Sequence, residues 1–317
     1  MTTVVETRGL SKVFSSGRGV KDVHLQVERG ELFGFLGPNG AGKSTFVKML
    51  VGLLRPTSGE ARVLGLPLGD LRARRRIGYL PELFRYQDWL SADEVLRFHG
   101  RLCKMDALTL AKRAREVVAA VGLEGRTHER VRGYSKGMQQ RLGLACALLP
   151  QPEVLFLDEP ASALDPGGRH DVRELLQRLR DEGMTIFLNT HLLEDVEEIC
   201  SKVALLSDGT IRAHGSVEDI LRPESIWEFT IGGWSPSYLA QLRETSAPLH
   251  VGIEVTESSD SKGYAVLEAR LEHAEQAAWL NAQLHDLGLS VYTVYPLKNR
   301  LESWFLALTE PDGRESQ

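Results

Sequence analysis

Cysteine is scarce in this sequence. Its three copies, Cys103, Cys146 and Cys200, lie far apart and share no C-x-x-C spacing. That excludes a disulfide framework and a cysteine zinc site, and predicts that each acts as a small buried hydrophobe. No apolar run reaches the roughly 18 residues that a membrane helix needs, so the chain is not expected to span a bilayer. Met1 to Leu10 holds no apolar signal core, which predicts a cytoplasmic chain. Positive charge is not in excess: 38 basic and 43 acidic residues give a net charge of −5. The footprint of a nucleic-acid binder is therefore missing, and the one basic cluster, Arg72, Arg74, Arg75 and Arg76, reads as a solvated helix end. What is present, 42% hydrophobic and 26% charged residues, is the composition of a globular chain. The 317 residues leave room for about two domains.

The rest of the chain is organised around Gly37-Pro38-Asn39-Gly40-Ala41-Gly42-Lys43-Ser44-Thr45. This stretch fits the phosphate-loop pattern G-x-x-x-x-G-K-[ST]. The apolar run Leu32–Leu36 before it reads as a buried strand, and Phe46, Val47, Leu50 and Leu54 after it recur at helical spacing. Strand, glycine loop and helix is the order the motif requires. Glycines let backbone amides converge on an anion, and the helix N-terminus adds unpaired N–H groups and a positive dipole end. Lys43 would reach the β- and γ-phosphates, and the Ser44 hydroxyl would ligate Mg²⁺.

Two strands around the turn Ser15–Gly19 precede the loop, with Phe14 at the turn's edge. An aromatic there can stack on an adenine or simply cap a strand edge, and the residues leave both readings open. Downstream, Ile77–Leu80 reads as a strand stopped by Pro81, followed by Glu82. From about 83 to 150 the pattern turns helical. Ser91 and Glu94 form a capping box, and Val95, Leu96, Phe98 and Leu102 are the expected inner face of that helix. Between Glu82 and Ser91 stand Leu83, Phe84, Tyr86, Trp89 and Leu90, an apolar segment that reads as a partner dock or as packing of the helical subdomain against the sheet. Ser135 is a good N-cap for a helix striped by Met138, Leu142, Cys146 and Leu149.

Val154–Leu157 is unbroken apolar sequence and ends in Asp158-Glu159. A central parallel strand has that composition, and its carboxyl end faces the crevice where α/β sheets bind ligands. Strand alternation predicts that the two carboxylates point to opposite sides, one to a metal and one to a water. Thr185–Leu188 is another buried strand, with His191 just past its end. Asp208-Gly209 is a hairpin signal. Pro223 and Glu224 mark a boundary. Beyond it, from 227 to 308, the order reads strand, helix, strand, strand, helix, strand, helix, which is the split βαβ pattern. The polar tail 311–317 is expected to be disordered.

With these residues in hand, the chain resembles the ATP-binding subunits of ATP-binding cassette (ABC) transporters, over residues 1 to about 222. The motifs stand in the family's order. They are the phosphate loop, Gly78–Glu82 at the glutamine-loop position, the signature at Tyr134-Ser135-Lys136-Gly137-Met138, the acidic strand, the D-loop Ser162-Ala163-Leu164-Asp165, and Thr190-His191. Two departures stand out: Glu82 replaces the usual glutamine, and Lys136 and Met138 interrupt the usual Leu-Ser-Gly-Gly-Gln. Both variants are similar to those of exporter-type subunits with a small C-terminal domain, including drug-efflux and copper-processing systems.

The resemblance implies an α/β fold: a P-loop NTPase cassette, with a mixed sheet core and a helical subdomain at 83–150, on residues 1–222. A small α+β ferredoxin-like domain would follow on 225–310. It implies ATP and Mg²⁺ as cofactors, with Ser44, Asp158 and Glu82 toward the metal and Phe14 on the adenine. Glu159 would be general base, and His191 would contact the γ-phosphate. Ser135 and Gly137 of one copy would close over the ATP of another, so a homodimer is expected. The chain would lie at the inner face of the membrane through a separate membrane-spanning permease, and would power export. A DNA-repair or chromosome ATPase on the same cassette would need long heptads between Lys43 and Ser135, and none is present. A translation-associated protein would need two cassettes. A regulatory module without turnover would not need Glu159 and His191.

Overall fold

The computed structural model describes residues 2–83, 85–162, 164–221, 226–246, 251–259, 263–271, 274–297 and 301–309. Phe84, Ala163, Pro223, Glu224 and the 311–317 tail lie outside them. The chain divides into two compact units: the first runs to Val217 and includes the residues from Phe305 onward, and the second is Glu218–Trp304. No helix among the described residues is long and apolar enough to cross a membrane.

The first unit opens with the antiparallel strands β1 (Thr3–Val13) and β2 (Gly19–Glu28). Strand β3 (Leu32–Leu36) leads through the glycine loop into helix α1 (Lys43–Leu50). After β4 (Ser58–Val63), β5 (Leu66–Pro67), the short helix α2 (Leu71–Arg74) and β6 (Ile77–Leu80) come three helices, α3 (Ala92–Leu102), α4 (Ala107–Ala120) and α5 (Lys136–Leu148). The chain returns through β7 (Val154–Asp158), α6 (Pro166–Asp181), β8 (Thr185–Asn189), α7 (Leu193–Ile199) and the hairpin β9 (Lys202–Ser207) with β10 (Thr210–Ser216). Asp208 and Gly209, both at positive φ, make its turn. Helix α8 (Val217–Ile220) begins at the boundary between the units.

Two sheets result. Strands β2-β1-β4-β5 form an antiparallel sheet, and β10-β9-β3-β8-β7-β6 form a sheet that is parallel apart from β10. Every residue of β3, β7 and β8 is buried, as the apolar runs required of strands covered on both faces. Phe187 of β8 is the hub of the core. Its ring lies 5.5 Å from Phe33, 5.3 Å from Phe35, 6.2 Å from Phe46 and 5.5 Å from Phe156. Because Phe46 belongs to α1, this packing fixes the helix whose N-terminus meets the glycine loop.

Three expectations need correction. The inner face of α3 is Ala92, Val95, Leu96 and Gly100. Phe98 is 43% and Leu102 64% exposed. The face is set by Gly100, whose missing Cβ is where Leu110 of α4 packs: a carbon there would sit 2.2 Å from Leu110 Cδ1. The Ser91–Glu94 box itself forms, with both reciprocal bonds present. Nor is the arginine cluster merely solvated. Arg74 donates to the Gly52 carbonyl and Arg76 to Glu153, tying α2 and its exit to neighbouring elements. Of the cysteines only Cys200 is buried; Cys103 is exposed, because it caps the outer end of α3.

The second unit contains β11 (Ile226–Gly232), α9 (Ser237–Ser246), β12 (Gly252–Ser259), β13 (Tyr264–Arg270), α10 (Ala274–Asp286) and β14 (Ser290–Pro296). Helix α11 (Leu301–Thr309) follows. The sheet order is β12-β13-β11-β14, antiparallel throughout. Element order and sheet order are those of a split βαβ unit. One sheet face, with Phe229, Ile231, Ile253 and Leu267, packs with Leu242 of α9 and Leu280 and Leu284 of α10.

Candidate active site

The sheet order decides what meets at the site. Strand β8 lies between β3 and β7, so Asn189 pairs with Phe35 on one side and with Asp158 on the other. Asp158 shares a strand face with Phe156, and Asn189 with Phe187, two residues apart in each case. That is the face on which Phe46 of α1 packs, so both polar ends emerge beside the start of α1. There Ser44 Oγ donates to Asp158 Oδ1 at 3.2 Å. The loop ahead of α1 wraps closely because Gly37 has no side chain. A Cβ at Gly37 would meet the Leu206 carbonyl oxygen at 2.1 Å. Lys43 Nζ donates to the carbonyls of Gly37 at 2.7 Å and Pro38 at 3.3 Å.

Burial lowers the Lys43 pKa, against the opposing pull of Glu159, Asp158 and Glu82. Burial raises that of Asp158 above the usual carboxylate range. Its bonds from Ser44 and Asn189 work against this, and the Glu82 charge adds to it. These shifts run opposite ways, and both express the cost of holding charge in a partly dry cleft. The cleft, of 450 Å³, is lined by the loop, Ser44, Thr45, Glu82, Asp158, Glu159 and His191, together with Ser162 and Asn189.

Glu159 overturns the alternation argument. It is not a continuing strand residue: its φ is +55°, in the left-handed region that non-glycine residues rarely enter. Hydrogen bonds hold that turn. The Glu159 amide donates to the Asn189 carbonyl at 2.9 Å. Its own carbonyl accepts from Gln140 Nε2 at 3.2 Å and Ser162 Oγ at 3.1 Å. The reversal turns Glu159 back, so that both carboxylates line one cleft. Glu159 Oε1 lies 2.8 Å from His191 Nδ1, and Oε2 is buried without a partner. A buried carboxylate oxygen with no donor is a ready acceptor for a water proton.

Ser135 and Gly137 lie elsewhere. Ser135 caps α5, its hydroxyl accepting from the Met138 amide at 3.2 Å. With Gly137, Lys136, Arg126 and Asp165 it lines a second cleft of 470 Å³, which shares no residue with the first. Phe14 remains 41% exposed at the β1–β2 turn, with Lys12 Nζ 5.7 Å from its ring centroid, and does not line the cleft around Lys43. Leu83 and Trp89 are 88% and 61% exposed. The same segment's Tyr86 packs edge-on against His99, their ring centroids 5.5 Å apart.

Sequence reasoning missed Asn189 and did not give Gln140 or Ser162 a role. Asn189 had a usable signal: it is the polar residue ending an apolar strand, two places from His191, with the same face parity as Asp158.

The chain is similar to known proteins over its whole length. The family described as ABC transporter matches residues 20–162. An ABC transporter ATP-binding protein of Synechocystis is 40% identical over 260 residues, covering 78% of this chain and 73% of that one. The Nod factor export ATP-binding protein I of Cupriavidus metallidurans is 34% identical over 318 residues and 99% of both chains. The linearmycin resistance ATP-binding protein of Bacillus subtilis is 30% identical over 311 residues, 96% of this chain and 98% of that one. Among solved structures, an ATP-binding subunit of an ABC transporter matches 69% of this chain and 92% of its own, at 32% identity and a TM-score of 0.63. A dimeric ATP-binding cassette in a post-hydrolysis state, bound to ADP and Pi, matches 67% of this chain and 98% of its own, at 27% identity and a TM-score of 0.62.

Proposed function

The chain belongs to the ABC transporter family as one of its ATP-binding, ATP-hydrolysing subunits, and from that premise we propose how its residues divide the work and what they drive. The amides of Gly37–Thr45 and the Lys43 ammonium hold the phosphates. Ser44 and Asp158 hold Mg²⁺, with Glu82 beside them. These are hard oxygen ligands, and the Ser44–Asp158 pair already stands together at the start of α1. Bound there, the cation would supply neutralisation of the phosphate charge. Glu159 polarises the attacking water through Oε2, while its bond to His191 through Oε1 fixes the carboxylate. His191 turns its other ring nitrogen to the γ-phosphate. Phe14 stacks on the adenine.

Ser135 and Gly137 face a cleft of their own, so one copy supplies the loop and the other the α5 N-terminus. The working unit is a homodimer with ATP between the copies, a reading supported by the dimeric form of the similar cassette. The exposed Leu83 and Trp89 dock a separate membrane-spanning permease, which holds the subunit at the inner face of the membrane. Export is the direction favoured by the Nod factor and linearmycin relatives. Residues 225–310 form an accessory domain that acts on dimerisation or partner contact.

One observation carries the catalytic assignment: a buried carboxylate, unpartnered at Oε2 and tied to His191 at Oε1, beside the Ser44–Asp158 pair. Glu159→Gln tests it. With Mg²⁺ and ATP the variant should bind but not turn over, and light scattering should show a shift from monomer to dimer by mass action. Adding Ser135→Arg should reverse the shift. Wild-type hydrolysis by Glu159→Gln would remove Glu159 as the base.

A further inference from the structure

Asn189 has no exposed surface, and its Oδ1 has no hydrogen-bond partner. A buried acceptor left without a donor costs about 1–3 kcal/mol. An aliphatic residue, such as Ile186 or Leu188 of the same strand, would avoid that cost. The amide cannot relieve it by turning over. Its Nδ2 donates to Asp158 Oδ1, and the reverse orientation would set two acceptor oxygens against each other. So the Asp158 contact fixes where Oδ1 points. Ser44 Oγ donates to the same Asp158 Oδ1. Both donors thus occupy one carboxylate oxygen and leave Oδ2 unengaged. Asn189, Ser44 and Asp158 line one cleft, so a group missing a donor stands next to a carboxylate with one oxygen to spare.

Mg²⁺ dehydrates reluctantly and keeps several waters when protein supplies only one or two ligands. Such waters donate hydrogen bonds. We propose that Asn189 is a positioning residue of the Mg²⁺ site: Nδ2 turns Asp158 so that Oδ2 is left to the cation, and Oδ1 accepts a hydrogen from a cation-bound water. The inference rests on the reading that Ser44 and Asp158 hold Mg²⁺. It separates two duties within one short segment, since His191 serves Glu159 and Asn189, two residues earlier, serves Asp158.

The test uses the full chain and measures ATP binding by titration calorimetry, first in EDTA and then at rising free Mg²⁺. Asn189→Thr and Asn189→Val are matched in shape and differ in a hydroxyl against a methyl. All three proteins should bind ATP alike in EDTA, where the loop amides and Lys43 act alone. Losing the partner of a metal ligand typically costs 10–100-fold in metal affinity. Asn189→Val should therefore need about 10–100-fold more free Mg²⁺ for its half-maximal gain in ATP affinity, while Asn189→Thr stays near wild type. Melting curves in EDTA report folding, and Asn189→Ala substitutes if the valine variant does not fold. A wild-type Mg²⁺ midpoint in Asn189→Val, or equal losses in Val and Thr, overturns the inference. Ser44→Ala distinguishes the two failures. If it too leaves the Mg²⁺ midpoint unmoved, the metal reading falls; if it shifts the midpoint while Asn189→Val does not, only the role of Asn189 falls.

Discussion

Among the described residues, Lys43, Gln140, Asp158, Glu159, Asn189 and Thr190 are all buried, and all belong to the first unit. Among its described residues, the second unit buries Phe229, Ile231, Leu267, Leu280 and Leu284, and no charged or polar side chain at that depth. The first interior thus adds to its apolar core ionisable groups that are costly to bury. Burial raises the Asp158 pKa and lowers that of Lys43, so each would fold more easily without its charge. Side chains kept at such a cost mark where the chemistry is.

The comparison breaks most clearly if activity and stability respond together. Glu159→Gln should lower the ATP hydrolysis rate about 10²–10⁴-fold, with no fall in melting temperature, as followed by phosphate release and calorimetry. Phe229→Ala should do the converse. It should destabilise the second unit by about 3–5 kcal/mol, read from urea unfolding, and leave ATP affinity intact. A loss of ATP affinity there would show that the units are not separable in function. Between these, Ser91→Ala removes the cap of α3 and should cost about 1 kcal/mol in the first unit without changing ATP affinity.

The smallest expected effect sharpens the comparison through pH. Asp158 holds its proton more tightly in the folded protein than in the unfolded chain, because burial raises its pKa. Its contribution is therefore fully present below the unfolded value of about 3.9, and is lost as pH rises through the raised folded value. Asp158→Asn, measured in EDTA, should melt higher than wild type at neutral pH, and the gain should vanish in acid. A lower melting point at neutral pH would mean that the Ser44 and Asn189 bonds outweigh burial.

Much of the architecture was legible because burial on both faces leaves a plain mark. Leu32–Leu36, Val154–Leu157 and Thr185–Leu188 are unbroken apolar runs, and each is a fully buried parallel strand. Lys43, Ser44, Asp158, Glu159 and His191 were legible as chemistry, and they share one cleft. What could not be read was non-local. The face of α3 depends on Leu110 packing into the space at Gly100, so counting apolar residues at Phe98 and Leu102 misleads. The direction of Glu159 depends on a backbone reversal held by Asn189, Gln140 and Ser162, which no periodicity reports. That Asn189 stands beside Asp158 follows only once β8 is known to lie between β3 and β7.

The left-handed backbone at Glu159 also shapes what this sequence can become. Glycine is the one residue that adopts that conformation at no steric cost, and strained positions at functional sites are where stabilising substitutions are easily found. A mutant library sorted only for heat resistance should therefore enrich glycine at position 159 and yield robust, inactive protein. Sorted for turnover instead, the same library should keep the glutamate and gather its stabilising changes elsewhere, in surfaces and loops remote from the cleft. The position thus records which pressure a population of such chains has been under.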